Sequence, residues 1–321
     1  MVKLVTFDHA QESKQELPCL LCGSTQHRVV KEFGNGVVVG RCIQCGFLYT
    51  PRPHPAPSEL LAHTDFEALK VLYDPIVQGR VSHFRRRNFL EYLKLIERHS
   101  PGKRLLDVGC AHGFFLSLAR ERGYDVTGIE ASPPMTRFAR EVLRIPIIEG
   151  CLHEIPLGDQ PWDVITFTDS LEYLTNPTRD LKRLFQMLRP GGLVFLKVPN
   201  GNYFYLRHML ERTLPLRDGG GTAFGPSERV AHYTRPSIQE LAKLLGLVVL
   251  DTGFPSPIDS PVWFRRTGLW LEMESPLLLG LRDKVVRRTM HLAGILESAF
   301  FWRQNHLSQS VYLIGRKPRT S

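Results

Sequence analysis

A glycine-bearing turn at residues 109–113 constrains the fold of this chain more than any other feature of the sequence. An apolar run leads directly into the turn and a segment with helical spacing follows at once, in the order LLDVGCAHGFF over residues 105–115. The small residues Gly109, Ala111 and Gly113 let the backbone approach a ligand that larger side chains would keep away. This order of strand, tight turn and helix predicts a βα unit whose ligand lies at the carboxyl end of the strand.

Hydrophobic periodicity predicts that a parallel sheet continues beyond this unit. Short apolar runs alternate with segments of helical spacing, which is typical of an α/β fold with helices on both faces of the sheet. Predicted strands lie at Arg104–Val108, Asp125–Glu130, 145–149, 164–168, 193–198, 247–250 and 311–315. Predicted helices lie at 114–122, 135–142, 180–188 and 237–245. The run LRPGG at residues 188–192 predicts a helix stop and a sharp turn into the next strand.

Two carboxylates indicate which ligand the turn binds. Glu130 ends the second predicted strand, about twenty residues after Gly109, where it can accept both hydroxyl groups of a ribose. Asp107 lies just before the turn, where it can bind a cationic amino group and would repel a pyrophosphate. The glycine spacing also departs from the G-x-G-x-x-G run of dinucleotide-binding folds. The acidic segment at residues 169–173 suits a sulfonium better than a polyphosphate.

Residues 104–200 resemble the core of the class I S-adenosylmethionine-dependent methyltransferases. The glycine turn is similar to that family's D-x-G-x-G-x-G motif, with Ala111 in place of the middle glycine, and LRPGG is similar to its turn after a helix. The family's common L-E-H motif is present at residues 171–173, with Tyr173 in place of the histidine. The resemblance implies a Rossmann-like class I methyltransferase sheet with helices on both faces, S-adenosylmethionine as the cofactor, and methyl transfer as the reaction.

The resemblance also implies roles for individual residues. Asp107 would hold the amino group of the methionine moiety, the turn would pack against the cofactor, and Glu130 would bind its ribose. Where the family often has an acid for the adenine amine, this chain has Cys151, so adenine would be held by the backbone there and by Leu152. The implied cofactor-binding set is Asp107, Gly109, Cys110, Ala111, Gly113, Glu130, Ala131, Cys151, Leu152, Thr168 and Asp169.

Four cysteines near the N-terminus predict a metal site. They form two C-x2-C pairs, Cys19 with Cys22 and Cys42 with Cys45. Two such pairs bring four thiolates within tetrahedral reach of one Zn²⁺ in a small zinc ribbon, and four thiolates close the coordination shell, so the predicted ion is structural. A redox disulfide is the alternative, but it leaves the second pair without a role. The thiols of Cys110 and Cys151 are predicted to be small core groups rather than ligands.

The candidate catalytic residues follow from the chemistry of methyl transfer. The reaction depends mainly on alignment of donor and acceptor, and a base is needed only for a hydroxyl group or a carbon acid. His232, which precedes a predicted helix, is the first candidate for that base, with Glu172 and Tyr173 behind it. Simple packing or capping by His232 is the open alternative. Tyr203, Arg207 and Arg229 are candidates for binding an anionic acceptor, or else ordinary solvated side chains.

Composition shifts divide the chain into four parts. Residues 1–57 hold the cysteine pairs and a proline-rich linker, residues 58–102 predict a helical cap, and residues 103–257 with 310–318 predict the methyltransferase core. Residues 258–309 predict a helical insertion that carries aromatic residues among arginines. Such a segment suits peripheral contact with a membrane surface or a lipid-linked acceptor, and a lid or a dimer contact is the alternative.

Charge and hydropathy narrow the function classes. The chain carries a net charge of +9, and no apolar run reaches the length of a signal peptide or a membrane span. With cysteines paired for metal binding, these features lead us to expect a cytoplasmic protein. The favoured acceptor is a small molecule, with a sugar or a saccharide or lipid-linked precursor as the suggested class. The sequence assigns no oligomeric state.

Two alternative functions stay open. One is an RNA or tRNA methyltransferase that uses the zinc ribbon as its reader, which the net positive charge permits. It is not favoured, because the ribbon lacks a dense basic face and its apolar residues Phe47, Leu48 and Tyr49 predict docking onto the larger domain. The other is a non-enzymatic zinc-containing interaction protein with a degenerate cofactor site, which the departures at Ala111 and Cys151 suggest.

Overall fold

The computed structural model describes residues 16–33, 36–52, 65–80, 83, 85–155, 161–213, 224, 229–255, 296 and 308–319. The predicted linker after residue 52 and nearly all of the 258–309 insertion lie outside the described residues, so the membrane, lid and dimer hypotheses for that insertion stay predictions. None of the helices in the described part combines the length and the apolar character of a membrane span.

Eleven strands, numbered in chain order, are present in the described part of the chain. They are β1 (His27–Glu32), β2 (Val38–Cys42), β3 (Leu48–Arg52), β4 (Arg104–Val108), β5 (Asp125–Glu130), β6 (Ile147–Glu149), β7 (Trp162–Thr168), β8 (Leu188–Pro199), β9 (Ala231–His232), β10 (Val248–Gly253) and β11 (Ser310–Arg316). Seven of them form the main sheet in the order β10-β11-β8-β7-β4-β5-β6. Strands β8 to β6 are parallel, and β11 and β10 are antiparallel additions at one edge. The order reverses between β4 and β7, which is where a sheet of this type binds its ligand.

The predicted strands are all present, with differences at their ends. The strand predicted from residue 145 begins at Ile147, and the strand predicted from residue 193 reaches back to Leu188. The predicted turn at 188–192 is therefore a bend within β8, where Gly191 has a φ of +76° and the register against β7 shifts. The sequence predicts that Pro51 is the first proline of the linker, but Pro51 lies in β3.

Helices cover both faces of the main sheet, as predicted. The helices are α1 (Phe66–Val77), α2 (Arg86–Glu97), α3 (Phe114–Glu121), α4 (Pro133–Glu141), α5 (Pro177–Gln186), α6 (Gly201–Thr213) and α7 (Arg235–Leu244), with a short 3₁₀ turn at Leu171–Tyr173. Alternate residues of each strand point to opposite faces. In β4, Leu106 packs in one buried cluster with Leu181 of α5 and Ile238 of α7. Leu105 packs in another, which includes buried residues of α2 and α3.

The cysteine-bearing segment forms a second, antiparallel sheet that is joined to the main domain. Its order is β1-β2-β3-β9, so its fourth strand comes from residues 231–232, far along the chain. The Thr50 backbone N–H donates to the carbonyl of Val230 at 2.8 Å, and the Thr50 hydroxyl donates to the carbonyl of Arg229 at 2.6 Å. Phe47 and Tyr49 pack in the main buried cluster, which confirms the predicted docking for these two residues, whereas Leu48 packs with Val39 and Phe224 in a smaller cluster.

Candidate active site and metal centre

The glycine turn between β4 and α3 has the backbone geometry that the sequence predicts. Gly109 has a φ of +72°, and a Cβ there would lie 2.5 Å from Cβ of Ser170. Gly113 has a φ of +82° and forms the N-cap of α3. Ala111 also lies in the left-handed region, with a φ of +49°, which costs an L-residue about 1–2 kcal/mol. The conformation is thus kept although the middle glycine is replaced.

Asp107 presents an unpaired carboxylate oxygen beside this turn. Its side chain is buried, and Oδ1 accepts a hydrogen bond from the Thr166 hydroxyl at 2.7 Å. Oδ2 has no hydrogen-bond partner among the described residues. Burial raises the pKa of Asp107 to about 7, opposed by the hydrogen bond from Thr166 and assisted by the charge of Glu130. A buried carboxyl with one unpaired oxygen fits a cationic amino group, which would supply both the hydrogen bond and the opposite charge.

Glu130, at the end of β5, is held by the backbone on both of its carboxylate oxygens. The N–H of Ala111 donates to Oε2 at 2.8 Å and the N–H of Ser132 donates to Oε1 at 2.8 Å. Burial raises the pKa of Glu130, and these backbone hydrogen bonds oppose the shift. Each carboxylate oxygen can accept a second hydrogen bond, so the side chain is fixed and can still bind two ribose hydroxyl groups. We call Asp107, the turn and Glu130 the glycine-turn site.

The other residues of the implied cofactor set surround this site. The Gly150 N–H donates to the carbonyl of Glu130 at 2.9 Å, which brings residues 150–152 alongside the end of β5. Leu152 is buried and Cys151 is half-buried. The buried thiol of Cys110 fills the space where a Cβ of Gly128 would lie. The predicted core role of the Cys110 thiol is confirmed.

Asp169, at the carboxyl end of β7, is engaged by cations of this chain. Lys197 Nζ lies 2.5 Å from Oδ1 and 2.6 Å from Oδ2 of Asp169, and Arg85 Nη1 lies 3.3 Å from Oδ2. Burial opposes ionisation of this carboxyl, but the charges of Lys197 and Arg85 outweigh it and lower its pKa. The carboxylate is therefore ionised and largely satisfied within the protein. Thr168, the preceding residue, is half-buried, and its register partner in the neighbouring strand β8 is Lys197.

Glu172 lies next to this ion pair in the 3₁₀ turn. It is 1% exposed, and neither of its carboxylate oxygens has a hydrogen-bond partner in the described part of the chain. Burial raises its pKa to about 7, the charge of Asp169 adds to the shift, and Arg229 and Lys197 oppose it. Arg229 in turn hydrogen-bonds the side chain of Tyr173, while its Nε and Nη1 are buried without a partner among the described residues.

Most of these groups lie at the carboxyl ends of β7 and β8 or in the chain leading into β9, and Arg85 comes from the N-terminal end of α2. We call the set the polar cluster, and its members are Arg85, Asp169, Glu172, Tyr173, Lys197 and Arg229. The cluster is connected to the ribbon sheet, since the Val230 N–H donates to the carbonyl of Glu172 at 2.9 Å. It borders the glycine-turn site, because the Ser170 hydroxyl donates to the carbonyl of Val108 at 2.5 Å.

His232 lies apart from the other two predicted catalytic residues. Successive residues of a strand face opposite sides, so His232 and Tyr233 point to different faces of the ribbon sheet. The Tyr233 ring lies 5.4 Å from that of Phe47, in the main buried cluster, whereas the His232 ring lies 5.2 Å from Phe224 on the other face. Burial lowers the pKa of His232 to about 3, and the charge of Arg229 adds to the shift. The structure brings together Glu172 and Tyr173, and it places His232 in an apolar setting.

A family model of the methyltransferase domain matches residues 81–252. The chain belongs to the methyltransferase domain family. Residues 81–252 are an S-adenosylmethionine-dependent methyltransferase domain, as the resemblance of residues 104–200 implies, and its cofactor is S-adenosylmethionine.

Curated relatives match the methyltransferase domain in part. The chain is 31% identical over 170 residues to the ubiquinone biosynthesis O-methyltransferase of Coxiella burnetii (strain RSA 331 / Henzerling II), covering 50% of this chain and 70% of the relative. It is 32% identical over 95 residues to the malonyl-[acyl-carrier protein] O-methyltransferase of Serratia marcescens, covering 29% of this chain and 37% of the relative. The alignment with the ubiquinone biosynthesis O-methyltransferase of Idiomarina loihiensis covers 49% of that relative, so the chain spans about half of its length.

A solved structure supports the fold of the methyltransferase domain. Phosphoethanolamine N-methyltransferase 2 of Haemonchus contortus, in complex with S-adenosyl-L-methionine, aligns with a TM-score of 0.53 at 15% identity. The alignment covers 91% of this chain and 71% of that protein. At this identity, the likeness shows the fold alone.

The four N-terminal cysteines form one cluster outside the methyltransferase domain. Cys19 Sγ lies 3.5 Å from Cys45 Sγ, Cys22 Sγ lies 3.6 Å from Cys42 Sγ, and all four sulfurs lie within 4.8 Å of one another. Tetrahedral Zn²⁺ with Zn–S bonds of about 2.3 Å separates its sulfurs by about 3.8 Å. The donor set therefore fits zinc, and four thiolates leave no open coordination position.

Two residues of the polar cluster and one residue that contacts the glycine-turn site were not found from the sequence. Lys197 is the one cation within the apolar run 193–198, which is a signal that could have been used. Arg85 belongs to a run of three arginines, and nothing in that run distinguishes the one that reaches Asp169. Thr166 is an inconspicuous strand residue in the sequence. Its contact with Asp107 depends on the pairing of β4 with β7.

Proposed function

We propose that this protein transfers the methyl group of S-adenosylmethionine to a hydroxyl group of a small-molecule acceptor bound at the polar cluster. The unpaired, buried Asp107 Oδ2 beside the glycine turn carries the cofactor part of this proposal. The relatives support an oxygen acceptor, since the malonyl-[acyl-carrier protein] and ubiquinone biosynthesis enzymes are both O-methyltransferases. That the acceptor is a sugar or a saccharide or lipid-linked precursor stays a prediction.

In this proposal the glycine-turn site holds the cofactor. Asp107 binds its amino group, the backbone of Gly109–Gly113 packs against it, and Glu130 binds the ribose with Ala131 beside it. The backbone at Cys151 and Leu152 borders the adenine. Thr168 and Asp169, at the carboxyl end of β7, border the cofactor, and Asp169 also belongs to the polar cluster. When bound, S-adenosylmethionine supplies an electrophilic methyl group.

Glu172 accepts the proton of the acceptor hydroxyl group in this proposal. A base works best when its pKa lies near the operating pH, and burial raises the pKa of Glu172 to about 7. Its two unpaired oxygens are available to a ligand hydroxyl. Tyr173 and Arg229 position the acceptor. His232, the first candidate from the sequence, acts as a packing residue, because its ring faces Phe224 and burial favours its neutral form.

The zinc ribbon is a structural element in this proposal. Cys19, Cys22, Cys42 and Cys45 hold Zn²⁺ as thiolates, which requires a reducing compartment and supports the expected cytoplasmic location. The RNA-reading alternative receives no support from the ribbon. Arg41, one of its few cations, donates to the carbonyl of Gly46 at 3.3 Å and lies over the ring of Tyr205.

Calorimetric titration of the zinc-loaded full chain with S-adenosylhomocysteine tests the cofactor assignment. We expect binding, and we expect Asp107→Asn to weaken it by about 10- to 100-fold, because a charge-assisted hydrogen bond contributes about 1.5–3 kcal/mol. Asp125→Asn, at the exposed start of β5, is the matched control and should bind like the wild type. Failure of the wild-type protein to bind either S-adenosylmethionine or S-adenosylhomocysteine would overturn the proposal.

A further inference from the structure

The polar cluster holds more positive than negative charge. Arg85, Lys197 and Arg229 contribute three cations, and Asp169 is the carboxylate that pairs with two of them. Glu172 is the other carboxyl, and neither of its buried oxygens has a hydrogen-bond partner among the described residues. Arg229 is thus left without a carboxylate in hydrogen-bond contact in the described part of the molecule.

The unpaired nitrogens of Arg229 indicate that the cluster is incomplete without a ligand. Nε and Nη1 are both buried and lack a hydrogen-bond partner among the described residues. Burying a guanidinium without compensation is strongly unfavourable, since the charged group gives up its hydration. A ligand that carries an oxyanion would supply both the hydrogen-bond acceptors and the missing negative charge.

Arg229 is also held in a defined position. Its guanidinium lies 5.2 Å from the centre of the Phe204 ring, and its carbonyl accepts a hydrogen bond from the Thr50 hydroxyl. Through Tyr173 and the Val230–Glu172 hydrogen bond, it lies next to the carboxyl that we propose as the base. The cluster is open to solvent on one side, where the side chains of Arg85 and Asp169 are 36% and 20% exposed.

We propose that Arg229 binds an oxyanion group, a carboxylate or a phosphate, of the acceptor, so that the acceptor is an anionic molecule whose reacting hydroxyl lies close to its negative charge. The location at the acceptor rests on the function proposed above. The oxyanion site itself does not, because it follows from the charges and unpaired nitrogens of this chain.

The test titrates the zinc-loaded full chain with inorganic phosphate and, separately, with malonate, each with and without S-adenosylhomocysteine. Sodium chloride keeps the ionic strength constant, and glycerol serves as the neutral probe. We expect the wild-type protein to bind at least one anion and to ignore glycerol. Arg229→Gln should weaken anion binding at least tenfold, whereas Arg28→Gln, which removes an exposed arginine of β1, should leave it unchanged. Preference for phosphate or for malonate then distinguishes a phosphorylated from a carboxylated acceptor.

Binding of neither anion by the wild-type protein would overturn the inference, and so would undiminished binding by Arg229→Gln. Arg229→Lys guards against misfolding of the glutamine variant, because it keeps the charge and should retain measurable anion binding with a weaker affinity. Loss of binding in both variants with unchanged thermal unfolding would support a role for the guanidinium geometry itself. Titration with S-adenosylhomocysteine separates the two proposals. Absence of S-adenosylhomocysteine binding would contradict the methyltransferase function, and the anion titration would still test the oxyanion site.

Discussion

The glycine-turn site and the polar cluster draw their residues from the chain in different ways. Asp107, the turn and Glu130 lie within one βαβ unit, and backbone groups of that unit hold Glu130. The hydrogen bond from Thr166 of β7 to Asp107 comes from outside the unit. The polar cluster combines residues from four separate parts of the chain, at positions 85, 169–173, 197 and 229. The backbone of Arg229 accepts a hydrogen bond from Thr50 of the ribbon. The first site depends on local geometry and the second on the correct assembly of the whole chain, so perturbations should affect them separately.

Removal of the metal should have the largest effect and should fall on the polar cluster. Structural zinc contributes about 10–16 kcal/mol to folding in small zinc-binding peptides, and β9 is paired with β3 of the ribbon. We expect chelation to speed hydrogen exchange in residues 229–234 by a factor on the order of 100, because β9 loses its partner strand. Affinity for S-adenosylhomocysteine should change by less than about threefold.

Hydrogen-exchange mass spectrometry and calorimetry measure these two effects. Cys42→Ser should reproduce the result of chelation, and Cys151→Ser, the matched thiol substitution outside the ribbon, should keep one zinc ion per chain by elemental analysis. Unchanged protection of residues 229–234 in the metal-free protein would show that the two sheets are held together by other contacts.

The pH dependence of stability should report the buried carboxyl of the polar cluster. Burial raises the pKa of Glu172 from 4.5 to about 7. Between these values the unfolded chain ionises this group while the folded chain keeps the proton, so stability falls as pH rises from about 4.5 to 7 and then levels off. Glu172→Gln removes this contribution and should stabilise the protein at pH 8 by an amount on the order of 3 kcal/mol, with little effect at pH 4.5.

Urea unfolding at the two pH values checks this prediction. Glu121→Gln, an exposed substitution at the end of α3, is the control and should follow the wild-type profile. An equal gain at both pH values would mean that Glu172 is not buried as a neutral acid.

The glycine-turn site should show its own pH dependence in cofactor binding. Burial raises the pKa of Asp107 to about 7, and the ionised form binds the ammonium group of the ligand. We expect affinity for S-adenosylhomocysteine to rise about tenfold from pH 6 to pH 8, as the carboxyl loses its proton. Calorimetry with Asp107→Asn should give a flat profile, and Glu172→Gln should keep the wild-type slope. A slope that disappears in Glu172→Gln would show that the two sites titrate together.

The smallest effect is expected at His232. Its Nε2 is buried without a hydrogen-bond partner in the described residues and its ring faces Phe224. His232→Leu should change the free energy of unfolding by less than about 1 kcal/mol, because no hydrogen bond from Nε2 is lost. His208→Leu is the comparison, since Nε2 of His208 lies 3.2 Å from the carbonyl of Val30. Denaturant unfolding that ranks His232→Leu as the more damaging substitution would reopen its assignment as a packing residue.

The sequence by itself determined the glycine-turn site and the cysteine cluster. Gly109 and Gly113 have positive φ angles, which glycine adopts without strain and which the tight turn requires. Glu130 follows at the spacing of one βαβ unit. The cysteine cluster is also encoded locally, because each C-x2-C pair forms one turn and two such pairs supply four thiolates to one ion.

Only the tertiary structure decided the polar cluster and the place of His232. Lys197 and Arg85 contact Asp169 from different elements, and no spacing in the sequence predicts these contacts. The face on which His232 lies depends on the register of β9 against β3, where Leu48 pairs with His232. A shift of one residue would have exchanged His232 with Tyr233, because strand side chains alternate between faces.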